Sequence, residues 1–174
     1  HRIETELSEV YEEQLEGWYL LIETERLLYN ANRAAHEAII ARNSENTSKL
    51  HEAISITNQN TNLAQAKFNK FKKFVSVKDE NAYENLEAID LNFKKFLEVG
   101  QELASMATSN DGDDYLVKYA TEIYNPVFEN LQNSLTKFSH DNLEKIEEKY
   151  SATRNILSSL QSNSFLILFL IILV

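Results

Sequence analysis

The chain has 174 residues, with 17 Lys plus Arg against 27 Asp plus Glu, a formal net charge of −10, three Gly, one Pro and no Cys. That length suits one domain with a real core and is short for two, and so acidic a balance, without a basic stripe, sets aside nucleic acid as a partner. The missing cysteines exclude a disulfide framework, a thiolate metal site and a thiol nucleophile, while so little Gly and Pro leaves too little turn chemistry for a many-stranded sheet.

An all-helical chain is therefore expected. In the first predicted helix, from about Arg2 to Asn43, Ile3, Leu7, Val10, Gln14, Trp18, Leu21, Glu25, Leu28, Asn32, Ala35, Ile39 and Arg42 fall at three- and four-residue steps. That is the seam of a helix packed in a bundle. About 40 residues at 1.5 Å each reach roughly 60 Å, longer than a compact globule requires. Asn32, lying in this seam, is expected to fix register.

The stretch 43-NSENTS-48 supplies a break, and a second seam follows at Leu50, Ile54, Thr57, Thr61, Ala64, Phe68, Phe71 and Val75. The lysines of 67-KFNKFKKF-74 read as a solvated face around regularly spaced phenylalanines. After 76-SVKDEN-81 a third seam runs through Leu86, Ile89, Phe93, Phe96, Gly100, Leu103 and Ala107, and it stops at the strong loop signal 109-SNDGDD-114. The fourth helix is predicted from near Asp114 through Leu131, Leu135, Phe138, Ile146, Tyr150, Thr153, Leu157 and Leu160. Pro126 should kink or briefly break it.

These elements predict an all-α, antiparallel up-down-up-down four-helix bundle with long first and fourth helices. Residues 1–163 are expected to form the domain, and 164–174 to begin a transmembrane helix. The run 165-FLILFLIILV-174 holds ten apolar residues, about half of the 20 or so that a spanning helix needs. The expectation is that helix four runs into a membrane helix continuing past Val174. An up-down bundle brings its termini together, so another membrane helix is expected before His1. A long bundle standing on two membrane helices is a sensor geometry.

Arg26, Asn30, Arg33 and Glu37 recur at steps of four, three and four, which places them along one face of helix one. Two guanidiniums with an amide between them suit a carboxylate, and Glu37 suits an amino group. An amino acid or small organic acid is the ligand class that fits. The competing reading makes Arg33 and Glu37 an ordinary surface pair. His36 beside Glu37, and His51 beside Glu52, do not make a metal site, because adjacent helical positions diverge by about 100° and no His-x-x-x-His pair exists. No cofactor is expected. Without a Ser, His and Asp constellation or a glycine-rich phosphate loop, neither is an enzyme.

The stretch 27-LLYNANRAAHEAIIARN-43 resembles a pattern of bacterial methyl-accepting chemotaxis receptors with four-helix-bundle sensor domains, approximately L-N-A-D-R-D-x-Y-Q-A-x-x-A, at Asn30, Ala31, Arg33, Ala38 and Ala41. The stretch 60-NTNLAQAKFNKF-71 is similar to the family's helix-two pattern at Asn62, Gln65 and Ala66, and 128-FENLQNSLTKF-138 is similar to F-D-x-x-R-x-x-L-D. The resemblance implies a periplasmic ligand-binding domain of the bacterial inner membrane, held between two transmembrane helices and working as a homodimer through helix one. It further implies that helix-one arginines hold the ligand opposite a helix-four face near Tyr124, Asn125 and Gln132, and that binding shifts helix four.

Three other classes fit parts of the pattern. The sensor of a membrane histidine kinase would keep the architecture and change the output. A tail-anchored helical trafficking protein would make Arg26 and Arg33 surface residues. A helical pore-forming toxin would hide its apolar segment in a soluble monomer.

Overall fold

The computed structural model describes the backbone of residues 2–75, 80–109 and 113–141 and of isolated helical positions beyond, with side chains described for 15–75, 84–109 and 114–141. The chain is all-helical: α1 (Arg2–Asn43), α2 (Thr47–Phe71) ending in a 3-10 turn (Lys72–Phe74), α3 (Glu80–Thr108), and α4, which starts at Asp113–Tyr119, passes through a π-helical turn (Ala120–Tyr124) and continues as α-helix over 125–139. No strand occurs among the described residues. Two compact units divide the chain, His1–Ser139 and His140–Val174. In the second, Asp141, Glu144, Glu148, Ser151, Ala152, Asn155 and Ser159 are helical and exposed, at spacings that put them on one solvated face. Among the described residues no helix is long and apolar enough to cross a membrane. The run 165–174, the seam positions Ile146, Tyr150, Thr153, Leu157 and Leu160, and the loop residues 76–79 and 110–112 lie outside the described residues.

Four helices share one core in the first unit. Phe68 of α2 stacks on Phe93 of α3 at 5.1 Å, and Phe96 of α3 meets Tyr124 and Phe128 of α4 at 5.5 and 5.8 Å. Phe71 of α2 meets Phe138 edge-on at 5.7 Å, and Tyr29 of α1 meets Phe128 at 5.8 Å. Polar ties run beside the rings: Lys72 with Asp90, Asn92 with Ser134 at 3.1 Å, and the Tyr119 hydroxyl donating to Glu102 at 2.7 Å.

The expected α1 seam is buried at Leu21, Leu28, Ala35 and Ile39. A second buried strip lies beside it: Leu20, Thr24, Leu27, Ala31, Ala34, Ala38 and Ala41. Its residues are mostly small, so the helices approach closely there. Only about 10 Å³ of void remains among Ala35, Ala38, Thr57, Gly100, Ala107 and their neighbours.

The α1–α2 connection is tighter than the six-residue break expected. Glu45 is left-handed, with φ 56°. Its N–H donates to the Arg42 carbonyl at 2.9 Å and the next N–H, of Asn46, to Ala41 at 2.8 Å. This is the paired closure that usually places glycine at the left-handed position. Asn46 then caps α2, its Oδ1 accepting from the Lys49 N–H at 3.1 Å. A side chain at positive φ costs about 1–2 kcal/mol, so Glu45→Gly is expected to raise stability by about 1 kcal/mol in urea titration.

Pro126 neither breaks nor ends α4. The Asn125 N–H bonds to the Ala120 carbonyl, five residues back, which widens the coil just before the proline ring. A proline inside an ordinary helix presses on the carbonyl four residues earlier and lacks the N–H to bond it. The π turn absorbs that conflict.

Two helical glycines have different surroundings. A Cβ at Gly100 would lie 3.9 Å from the Tyr124 ring, whereas one at Gly17 would lie 3.1 Å from the Phe74 Cβ. Gly100→Ala is expected to add nearly the full helix-propensity difference, about 0.8–1 kcal/mol. Gly17→Ala is expected to gain less, and parallel urea melts compare the two.

Candidate functional site

The outer face of α1 carries the four residues singled out by spacing. Arg26 donates to Glu23 twice, from Nε at 3.1 Å and from Nη2 at 2.9 Å, and its side chain is 60 % exposed. The Arg26 guanidinium holds the Glu23 carboxyl below its ordinary range. Arg33 lies 3.5 Å from Glu37 and is 75 % exposed. Asn30 is half-buried, on the strip shared by Glu23 and Glu37 at seven-residue steps. That strip borders α2: Glu23 feels Lys67, and Glu37 lines a shallow cleft of about 370 Å³ with Lys49, Glu52 and Ile56. Both guanidiniums therefore turn toward carboxylates on the α2 side of α1.

Tyr124, Asn125 and Gln132 lie on α4. Among the described residues, no hydrogen bond or ion pair joins any of them to Arg26, Asn30, Arg33 or Glu37. Gln132 instead donates to the Tyr29 hydroxyl. Tyr29 lies between the two arginines along α1, and its ring packs edge-on against Phe128. Tyr124 is fully buried against Phe96, and burial pushes its hydroxyl pKa upward.

The contact at Tyr29 marks where α1 meets α4, and this seam is unusually polar. Glu25, Tyr29 and Asn32 are successive neighbours at steps of four and three, so they sit side by side on the helix surface. Trp18, Glu25 and Asn32 repeat at seven-residue steps. Across from them, Asn125 and Gln132 repeat at seven on the half-buried edge of α4. The buried side-chain atoms without a hydrogen-bond partner are Trp18 Nε1, Glu25 Oε1, Asn32 Oδ1, Tyr124 Oη and Asn125 Oδ1. Among the described residues these five belong to α1 or α4, and none to α2 or α3. Each such atom costs about 1–3 kcal/mol when nothing satisfies it, and native proteins keep few of them.

Glu25 stands out within this set. Burial raises its carboxyl pKa above the ordinary value of 4.5. Sequence reasoning placed Glu25 and Asn32 in the seam but did not assign them to a site. The signal was available: two polar residues at a seven-residue interval within the stretch of seam otherwise formed by Trp18, Leu21, Leu28, Ala35 and Ile39.

Among the described residues no three His, Asp or Glu side chains gather as a metal set. A second shallow cleft, of about 390 Å³, opens at the α1–α2 turn, lined by Arg42, Glu45, His51 and Thr108 among others. Arg42 there donates to the Ala107 carbonyl at 3.2 Å. Compared with protein families, characterised proteins and solved structures, the chain matches none.

Proposed function

We propose that this chain is the extracytoplasmic sensor domain of a transmembrane chemoreceptor of the methyl-accepting type, binding a small polar metabolite between α1 and α4. The observation that carries the reading is that, among the described residues, the buried polar side-chain atoms without a protein hydrogen-bond partner lie on those two helices. A stable bundle gains nothing from them, whereas a ligand seam needs them.

The proposed topology is an antiparallel up-down-up-down bundle. Its support is the pairing of side chains: Gly17 with Phe74, Phe68 with Phe93 and Lys72 with Asp90, then Asn92 with Ser134, Phe96 with Phe128 and Glu102 with Tyr119. The early part of α1 meets the end of α2, and in the next two pairs residue numbers rise on one helix as they fall on the other. On this reading the domain lies in the periplasm, on the inner membrane, as the receptor resemblance implies; the apolar run 165–174 supports only an attachment to a membrane. A homodimer through α1 is supported by its outer face, where Leu15, Tyr19, Ile22 and Ile40 recur at heptad-compatible steps and remain exposed, Tyr19 by 57 % and Ile40 by 66 %. Ligand in the seam would favour one packing of α4 against α1, and a shift of about 1–2 Å would pass along α4.

The test is a thermal-shift screen of the full chain against amino acids, organic acids and amines. A ligand at 100 times its Kd adds about 2.7 kcal/mol. Binding in the seam is expected to disappear in Asn32→Leu, and binding on the outer face in Arg33→Ala. A well-folded chain that none of these compounds stabilises would overturn the metabolite-sensor reading. Arg33→Ala alone is expected to change stability by less than about 0.5 kcal/mol, since it removes only an exposed pair.

A further inference from the structure

The chemistry of the α1–α4 seam narrows the ligand, given the reading of that seam as the binding site. Three of its orphaned atoms, Glu25 Oε1, Asn32 Oδ1 and Asn125 Oδ1, are hydrogen-bond acceptors. In the antiparallel packing proposed above, Asn32 and Asn125 come level, because each lies three residues from the contacting pair Tyr29 and Phe128. Glu25 lies one turn to the other side of Tyr29.

We propose that this seam binds a small organic cation through a primary ammonium group, with Glu25 as its counter-charge and the amide oxygens of Asn32 and Asn125 as further acceptors along the molecule. An ammonium group carries three donors and no acceptor, which complements these three acceptors, while Trp18 Nε1, a donor, stays outside the match. A carboxylate placed there would face Glu25 as a like charge. The arginines that would attract a carboxylate are occupied, Arg26 by two hydrogen bonds to Glu23 and Arg33 by Glu37. The formal charge of −10 also draws cations toward the surface and repels anions.

Titration of the full chain with ethylamine, ethanolamine and putrescine, against sodium chloride at matched ionic strength, tests the assignment. At least one amine should give a saturable rise in melting temperature. Its affinity should weaken by about tenfold or more in Glu25→Gln, as for a lost charge-assisted hydrogen bond, and stay unchanged in Glu23→Gln. A response equal in wild type and Glu25→Gln would reduce it to general charge screening and overturn the proposal. Saturable binding of succinate, lost in Arg33→Ala, with no amine response, would also overturn it while leaving the sensor reading intact. No response to any of these amines overturns the cation assignment whatever the wider metabolite screen returns.

Discussion

Phe96→Ala is expected to destabilise the fold by about 3–5 kcal/mol, the range for truncating a fully buried phenylalanine. Phe96 is 1 % exposed and touches both Tyr124 and Phe128. Neither ring is free to collapse into the space left behind, because Phe128 is held by Tyr29 and Tyr124 closes the π turn. The cavity therefore persists, and it lies behind the α4 face that meets α1. The melting temperature should fall by on the order of 10 °C. Leu91→Ala, at a position 68 % exposed on the same helix, should stay within about 0.5 kcal/mol of wild type. Urea unfolding of both variants at unchanged slope makes the comparison. A loss under about 1 kcal/mol for Phe96→Ala would mean that α3 does not pack on α4 through these rings.

The helices and their large apolar seams were legible because Leu, Ile and Phe at three- and four-residue steps leave few alternatives. Leu21, Leu28, Phe68, Phe93, Phe96, Leu131 and Leu135 all lie in the core as expected. The second α1 strip was not legible, because Ala and Thr carry little hydropathy and are buried only when a neighbouring helix comes close. Thr24, Thr57 and Thr61 show how such residues fit: each hydroxyl donates to the carbonyl four residues back, at 2.8 to 2.9 Å. Glu45 at a left-handed position went against composition, since glycine is the residue that ordinarily signals it. The arginine face is a lesson in local competition. Spacing put Arg26 and Arg33 on one surface and offered the pairing of Arg33 with Glu37, seen at 3.5 Å, as the competing reading; what it did not single out is Glu23, three residues before Arg26, as that guanidinium's partner.

Glu25→Leu is expected to raise stability at neutral pH by about 1–3 kcal/mol, because it removes a carboxylate oxygen that is buried without a partner. The pH dependence separates this from a simple gain of apolar contact. Burial raises the Glu25 pKa above 4.5, so the folded protein binds a proton more readily than the unfolded chain. Stability contributed by that proton is fully present below pH 4.5 and is lost as pH rises through the folded-state value. The advantage of Glu25→Leu should accordingly be smallest below pH 4.5 and widen toward pH 7, as read from urea midpoints at both ends. A constant advantage would assign the effect to packing alone. A residue that weakens the fold at neutral pH is a candidate for a functional role, because natural chains give up stability mainly where function requires it. A cation that binds at Glu25 supplies that missing partner, and it should stabilise wild type while leaving Glu25→Leu unmoved.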